Sequence, residues 1–220
     1  MLHTPTPRPP CPFLALLHSH KAIAVLRVAD VDLALSLATA VAAGGIRLIE
    51  ITWNSPSPAQ IIAYLRRRLP DCHIGAGTLL SLADLDQAAT AGAQFGFAPH
   101  SDPTMITWAQ QHRLPFVPGA LTPREIVAAW QAGASAVKLF PITAVGGAEY
   151  LRSLQGPLAT IPLVPTGGVT LENAPSLLKA GALAVGLSTA LFPPAAIAQA
   201  DWAAITARAR GLVDSLTGQP

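Results

Sequence analysis

Lysine is scarce in this chain, and its three lysines, Lys21, Lys138 and Lys179, stand in unlike settings. Lys21 precedes an apolar run, and Lys179 closes a helical stretch, where the helix dipole favours a cation. Lys138 instead interrupts Ser135-Ala136-Val137-Lys138-Leu139-Phe140-Pro141, an apolar run of strand composition. Burying an ammonium ion is costly, and a lysine that sheds its proton instead becomes an amine nucleophile near neutral pH. Glu50 poses the same puzzle, as the one carboxylate in Ile46-Arg47-Leu48-Ile49-Glu50-Ile51-Thr52. Strand alternation predicts that Ile49 and Ile51 face covering helices while Leu48, Glu50 and Thr52 face inward, toward the side an inward Lys138 would share. A carboxylate and an amine facing one cavity suit carbanion or enamine chemistry, because a Schiff base needs an acid and a base beside it to dehydrate a carbinolamine and move protons. A structural Glu50–Lys138 ion pair uses the same geometry and stays open at this point.

A third constellation lies near the end of the chain, in Pro165-Thr166-Gly167-Gly168-Val169 and Gly186-Leu187-Ser188. Paired glycines let backbone N–H groups approach an anion, and the helix predicted to follow adds its positive end, so Gly167, Gly168, Gly186 and Ser188 are candidate phosphate ligands. Other reactive residue types have plainer readings. Cys11 and Cys72 give neither a disulfide framework nor a metal knuckle. His3, His18 and His20 cluster without carboxylate or cysteine partners, so no metal is assigned. Arg66-Arg67-Arg68 sits where a helix ends and reads as a solvated face. Among the histidines only His100, directly after Pro99, is placed to see a substrate.

Positioning these groups requires a repeating scaffold. Strand-like runs fall at Ile23–Leu26, Leu48–Thr52, His73–Gly77, Phe95–Ala98, Phe116–Pro118, Ala136–Phe140, Leu163–Thr166 and Ala184–Leu187. Helical periodicity covers Val31–Ala43, Pro58–Leu69, Leu82–Ala91, Pro103–His112, Pro123–Ala132 and Leu171–Lys179 between them. Asp30, Ser57, Ser81, Asp102, Thr122 and Thr170 stand where N-caps belong, and Gly44, Gly92, Gly133 and Gly181 where helices should stop. Eight strands, each followed by a helix, predict an α/β fold, a single (β/α)8 TIM barrel over residues 13–220. Residues 1–12 carry Pro5, Pro7, Pro9, Pro10 and Pro12 and are read as a flexible N-terminal extension. The turn after the first strand, Arg27-Val28-Ala29-Asp30, lacks the glycines of a dinucleotide site. In a barrel, functional side chains belong at the C-terminal ends of the strands, which is where Glu50 and Lys138 fall.

Composition narrows the function classes. Of the 220 residues 51% are hydrophobic and only 12% charged, against roughly a quarter charged in typical soluble domains, which excludes a disordered chain. The net charge of +2 is spread along the sequence, so no footprint for nucleic acid or an anionic membrane is expected. The longest apolar stretch, Ala180–Ala200, is broken by Ser188, Thr189, Pro193 and Pro194, and Phe13–Leu17 is too short for a secretory core. A cytoplasmic protein is expected.

From Lys21 to Phe192 the chain resembles the 2-keto-3-deoxy-6-phosphogluconate (KDPG) aldolase and 4-hydroxy-2-oxoglutarate (KHG) aldolase family, class I aldolases on a small barrel. The landmarks are Gly45-Ile46-Arg47-Leu48-Ile49-Glu50-Ile51-Thr52, Gly75-Ala76-Gly77-Thr78, Ala91-Gly92-Ala93-Gln94-Phe95 with Ala98-Pro99, Pro118-Gly119, Lys138-Leu139-Phe140-Pro141 and Pro165-Thr166-Gly167-Gly168. The resemblance implies a Schiff base between Lys138 and a 2-keto acid, proton transfer by Glu50, and no cofactor, because the protonated imine is itself the electron sink. It implies that Thr78 and Thr166 meet the keto-acid carboxylate, that Pro99 and Phe140 line the pocket, that Gly167, Gly168, Gly186 and Ser188 hold a distal phosphate, and that the protein is a homotrimer acting on a small phosphorylated sugar acid. One position departs from the family: Asn54 stands where many members carry a carboxylate-binding arginine, and Arg27, at the end of the first strand, is the candidate to supply that charge. Two other classes remain distinguishable. A phosphosugar isomerase or epimerase on the same barrel would need no amine nucleophile, and a catalytically silent barrel would bind ligand without releasing pyruvate.

Overall fold

The computed structural model describes residues 11–218, so most of the proline-rich extension, with His3, and residues 219–220 lie outside the described residues. The chain opens with α1 (Pro12–His20), then β1 (Ala22–Leu26), α2 (Val31–Ala43), β2 (Leu48–Thr52), α3 (Pro58–Arg68), β3 (His73–Gly77), α4 (Leu82–Thr90), β4 (Gly96–Phe97), α5 (Pro103–Gln111) and β5 (Phe116–Val117). Beyond Pro118 come β6 (Gly119–Ala120), α6 (Pro123–Gln131), β7 (Val137–Leu139), a 3-10 turn (Ile142–Val145), α7 (Ala148–Leu158) and β8 (Leu163–Pro165). The last elements are α8 (Ala174–Lys179), β9 (Val185–Leu187), α9 (Pro194–Ala198) and α10 (Trp202–Thr217).

All strand pairings are parallel, in a six-stranded sheet ordered β5-β4-β3-β2-β1-β9 and a three-stranded sheet ordered β6-β7-β8. The architecture is thus α/β with parallel strands, as the alternation predicts, but the described residues form nine strands where the sequence pattern predicts eight. Pro118 is the reason: it has no N–H to donate, and the run Phe116–Pro118 continues past it as β6. Its carbonyl still accepts from the Lys138 N–H at 2.9 Å. Across the other seam a parallel bridge joins Thr166 to Gly186, and the Leu183 N–H donates to the Leu163 carbonyl at 2.9 Å.

Helix starts follow local chemistry. Asp30, Ser81, Asp102 and Thr122 each accept a first-turn backbone N–H, Ser81 and Thr122 within full capping boxes. Ser57 makes no side-chain cap. The last predicted helix is shorter than expected, because Pro175 cannot donate to the Leu171 carbonyl and the helical ladder begins only at Ala174. Thr170 instead closes the preceding turn, exchanging hydrogen bonds with Asn173.

Packing forms two layers. Ile49 and Ile51 join a large apolar cluster with helix residues such as Leu37, Val41, Ile61 and Leu65, whereas Leu48 belongs to an inner cluster with Ile23, Val25, Phe95, Phe97, Val117 and Val164. The expected alternation therefore holds, and it turns Glu50 inward. The inner cluster is completed by Phe13 and Leu17 of α1, with the Phe13 and Phe95 rings 5.1 Å apart. The proline run predicts an extension that includes Pro12, and periodicity predicts no helix over Phe13–Leu17. Pro12 in fact occupies the first turn of α1, where its missing N–H costs nothing.

Candidate active site

Both chemistry-bearing residues are buried: Glu50 is 2% exposed and Lys138 5%. Each stands in a strand between inward neighbours. Glu50 pairs in register with Val25 of β1 and Gly75 of β3, and Lys138 with Gly119 of β6 and Val164 of β8. Two inner positions of β3, Gly75 and Gly77, are glycines, and large groups fill the space left by their absent side chains. A β-carbon on Gly75 would fall within the Phe95 ring, and one on Gly77 would fall on the Glu50 carboxyl. Burial pushes the Glu50 carboxyl above its ordinary range, and the charges of Lys138 and then Arg27 oppose that rise only in part. Glu50 is thus a carboxyl able to hold or give a proton nearer neutrality than a surface glutamate. The Lys138 Nζ lies over the Phe140 ring, 4.9 Å from its centroid.

These groups open into a cavity of about 650 Å³ at the C-terminal ends of the strands. Its lining includes Arg27, Glu50, Thr78, Pro99, Lys138 and Phe140, then Thr166, Gly167, Gly168, Gly186 and Ser188, every sequence candidate except His100. Thr78 enters it from the turn after β3 in a left-handed conformation (φ 57°), which a β-branched residue adopts only when its surroundings impose it. Pro99 is held by close approach, since a β-carbon on Gly119 would strike its backbone carbonyl. Gly186 also makes room locally, because a β-carbon there would lie 2.7 Å from the Thr166 hydroxyl oxygen. His100 is not part of the lining.

Arg27 and Asn54 are joined. The Arg27 Nε donates to Asn54 Oδ1 at 3.2 Å, and Ser55, buried behind them, clamps their two loops by accepting from the Val28 N–H at 3.2 Å and meeting the Thr52 hydroxyl at 3.1 Å. Sequence reasoning missed Thr52, Thr170 and Thr189, which also line the cavity. Thr52 was legible as an inward strand position. The other two lie in loops whose course periodicity does not report.

In the glycine-rich turn, Gly167 and Gly168 adopt φ of 88° and 78°, a region where glycine alone is unstrained. The helix that follows, α8, has six residues and begins past this turn, at Ala174. Among the described residues, no three of His, Cys, Asp and Glu are grouped so as to hold a metal ion, and no helix is long and apolar enough to cross a membrane.

Comparison with known proteins sets this geometry in a family. The family model for KDPG and KHG aldolase matches residues 14–208. The chain belongs to the KDPG and KHG aldolase family. The 2-dehydro-3-deoxy-phosphogluconate aldolase of Treponema pallidum is 36% identical over 85% of this chain and 89% of its own length. The KHG/KDPG aldolase of Escherichia coli is 30% identical over 91% and 94%. Among solved structures, a KDPG aldolase from Legionella pneumophila, with pyruvate captured at low pH as a covalent carbinolamine intermediate, superimposes with a TM-score of 0.85 at 28% identity, covering 90% of this chain and 97% of that one. Membership in the family makes this chain an aldehyde-lyase, and it extends the sequence resemblance at both ends, from Lys21–Phe192 to residues 14–208.

Proposed function

We propose that the protein is a class I aldolase that cleaves 2-keto-3-deoxy-6-phosphogluconate to pyruvate and glyceraldehyde 3-phosphate, and that it also takes 4-hydroxy-2-oxoglutarate to pyruvate and glyoxylate. The observation that carries this reading is the burial of Lys138 and Glu50 in one cavity whose lining also includes a glycine-rich turn. We read the two sheets as one closed (β/α)8 barrel, a reading supported by the Thr166–Gly186 bridge and by the continuity of the chain through Phe116–Ala120.

The Lys138 amine adds to the C2 carbonyl of the keto acid, and Glu50 delivers the proton that turns the carbinolamine hydroxyl into leaving water, giving a protonated imine. Glu50, now a carboxylate, takes the proton of the C4 hydroxyl. The C3–C4 electron pair moves into the imine as the aldehyde departs, leaving an enamine. Glu50 returns its proton to C3 and then takes a proton from the water that attacks the imine, and the resulting carbinolamine collapses, its hydroxyl proton passing to nitrogen, to free pyruvate and the Lys138 amine. One carboxyl with a raised affinity for protons serves each of these steps. No cofactor is required, because the imine accepts the electron pair.

Around this centre Arg27, Thr78 and Thr166 bind the keto-acid carboxylate, Pro99 and Phe140 wall the pyruvyl methylene, and Gly167, Gly168, Gly186 and Ser188 receive the phosphate. The protein works as a homotrimer in the cytoplasm. Coupled lactate dehydrogenase assay of pyruvate release tests the activity: turnover of both substrates with loss in Lys138→Ala is expected, and appreciable activity of Lys138→Arg would favour a phosphosugar isomerase instead. Sedimentation velocity tests the trimer.

A further inference from the structure

The turn after β8 is held from behind by groups of two other segments. The Thr166 carbonyl accepts from the Ile142 N–H at 3.0 Å. The Gly167 carbonyl accepts from the Thr143 hydroxyl at 3.1 Å and from the Thr143 N–H at 3.4 Å, and the Gly168 carbonyl accepts from Asn173 Nδ2 at 3.1 Å. These peptide bonds are trans, so each N–H points opposite to the carbonyl it shares a plane with. Three consecutive carbonyls tied to the 3-10 turn and to Asn173 therefore aim the N–H groups of Gly167, Gly168 and Val169 the other way. The Thr166–Gly186 parallel bridge turns the Gly167 N–H toward the Gly186 carbonyl, whereas among the described residues the Gly168 and Val169 N–H groups have no backbone acceptor, and both residues line the cavity. Successive N–H groups that face one cavity can form a concave anion seat. Gly168 is also the position where a β-carbon would fall on the Thr143 hydroxyl, so the absence of a side chain there is what admits Thr143.

We infer that Thr143, with Asn173, is a positioning residue for phosphate: it does not touch the ligand, and it fixes the peptide planes whose N–H groups do. The inference rests on the reading of the Gly167–Gly168 turn as the phosphate seat, and it adds a residue outside the cavity wall as a determinant of preference for phosphorylated substrates. A hydroxyl is needed, since Thr143 holds the Gly167 carbonyl through Oγ1 at a shorter distance than through its N–H.

The test compares wild type, Thr143→Val and Thr143→Ser, using inorganic phosphate as competitive inhibitor and paired kinetics on KDPG and on unphosphorylated 4-hydroxy-2-oxoglutarate. Thr143→Val should raise the phosphate inhibition constant and the KM for KDPG by about three- to tenfold, the scale of one hydrogen bond, with kcat and the KM for 4-hydroxy-2-oxoglutarate unchanged. Thr143→Ser should behave as wild type. Borohydride trapping of pyruvate, which does not use the Gly168 and Val169 amides, reports whether each variant is folded. Equal phosphate inhibition of wild type and Thr143→Val would overturn the positioning role while leaving the phosphate seat in place. A wild type that phosphate does not inhibit would overturn both. Loss of activity on the two substrates alike would mean a general structural role and would also contradict the inference.

Discussion

The carboxyl of Glu50 occupies the space that a side chain on Gly77, in the neighbouring strand, would fill. Glu50 leans from β2 across β3 into the cavity because Gly77 leaves the route open, so the missing side chain is as much a part of the site as the carboxyl. Gly77→Ala should therefore displace Glu50 and lower kcat by about 10²-fold, the lower end of what a positioned acid–base group contributes. Kinetics alongside circular dichroism check this. A variant with normal kcat would mean that Glu50 reaches the substrate by another path.

Glu50→Gln should lower kcat by about 10²–10⁴-fold and slow formation of the Lys138 adduct, because the same carboxyl dehydrates the carbinolamine. The same substitution carries a stability signature. Since burial raises the folded-state pKa of Glu50, the native protein holds this proton more tightly than the unfolded chain does, and stability falls as pH rises from the ordinary glutamate value of about 4.3 through the raised value. Melting curves across pH should show Glu50→Gln gaining on wild type toward neutrality and losing that advantage below pH of about 4. An advantage that does not change with pH would contradict the raised value.

Arg27 with its Nε held by Asn54 keeps its two terminal nitrogens free for a carboxylate. Arg27→Ala should raise the KM for pyruvate in the condensation direction by about tenfold or more, on the scale of a charge-assisted hydrogen bond, and Asn54→Ala should raise it less and in the same direction. Steady-state kinetics with pyruvate as varied substrate measure both. An unchanged KM in Arg27→Ala would remove this residue from the site.

Phe13 stacks on Phe95 from α1, beneath the inner face of the sheet. Phe13→Ala should cost about 3–5 kcal/mol, as buried phenylalanine truncations do, with kcat of the folded fraction unchanged. Urea unfolding followed by intrinsic fluorescence checks the magnitude. A change under about 1 kcal/mol would mean that α1 is not part of the core.

The strands that carry the chemistry were the easiest to read. β2 falls over Leu48–Thr52 and β3 over His73–Gly77, as predicted, because β-branched or small residues alternate there between two unlike environments. Lys138 and Glu50 stood out because each breaks an apolar run, and a charge in such a place needs a reason. What periodicity misses is set by contacts distant in sequence. The helix Pro12–His20 is short, and its apolar residues acquire meaning only from Phe95, far along the chain. The Arg27–Asn54 bond joins the ends of two strands, and the anchoring of Gly167 by Thr143 joins two loops, so neither leaves a pattern in either segment alone. The α8 boundary failed for a local reason that Pro175 already announced.

That Lys138 bonds covalently to the keto acid is tested most directly by incubating the protein with pyruvate and sodium borohydride and then mapping the added mass by peptide mass spectrometry. One reduced pyruvyl adduct is predicted on the peptide carrying Lys138, absent in Lys138→Ala; no adduct on a folded, phosphate-binding protein, or an adduct on Lys21 or Lys179 instead, would contradict the Schiff-base mechanism.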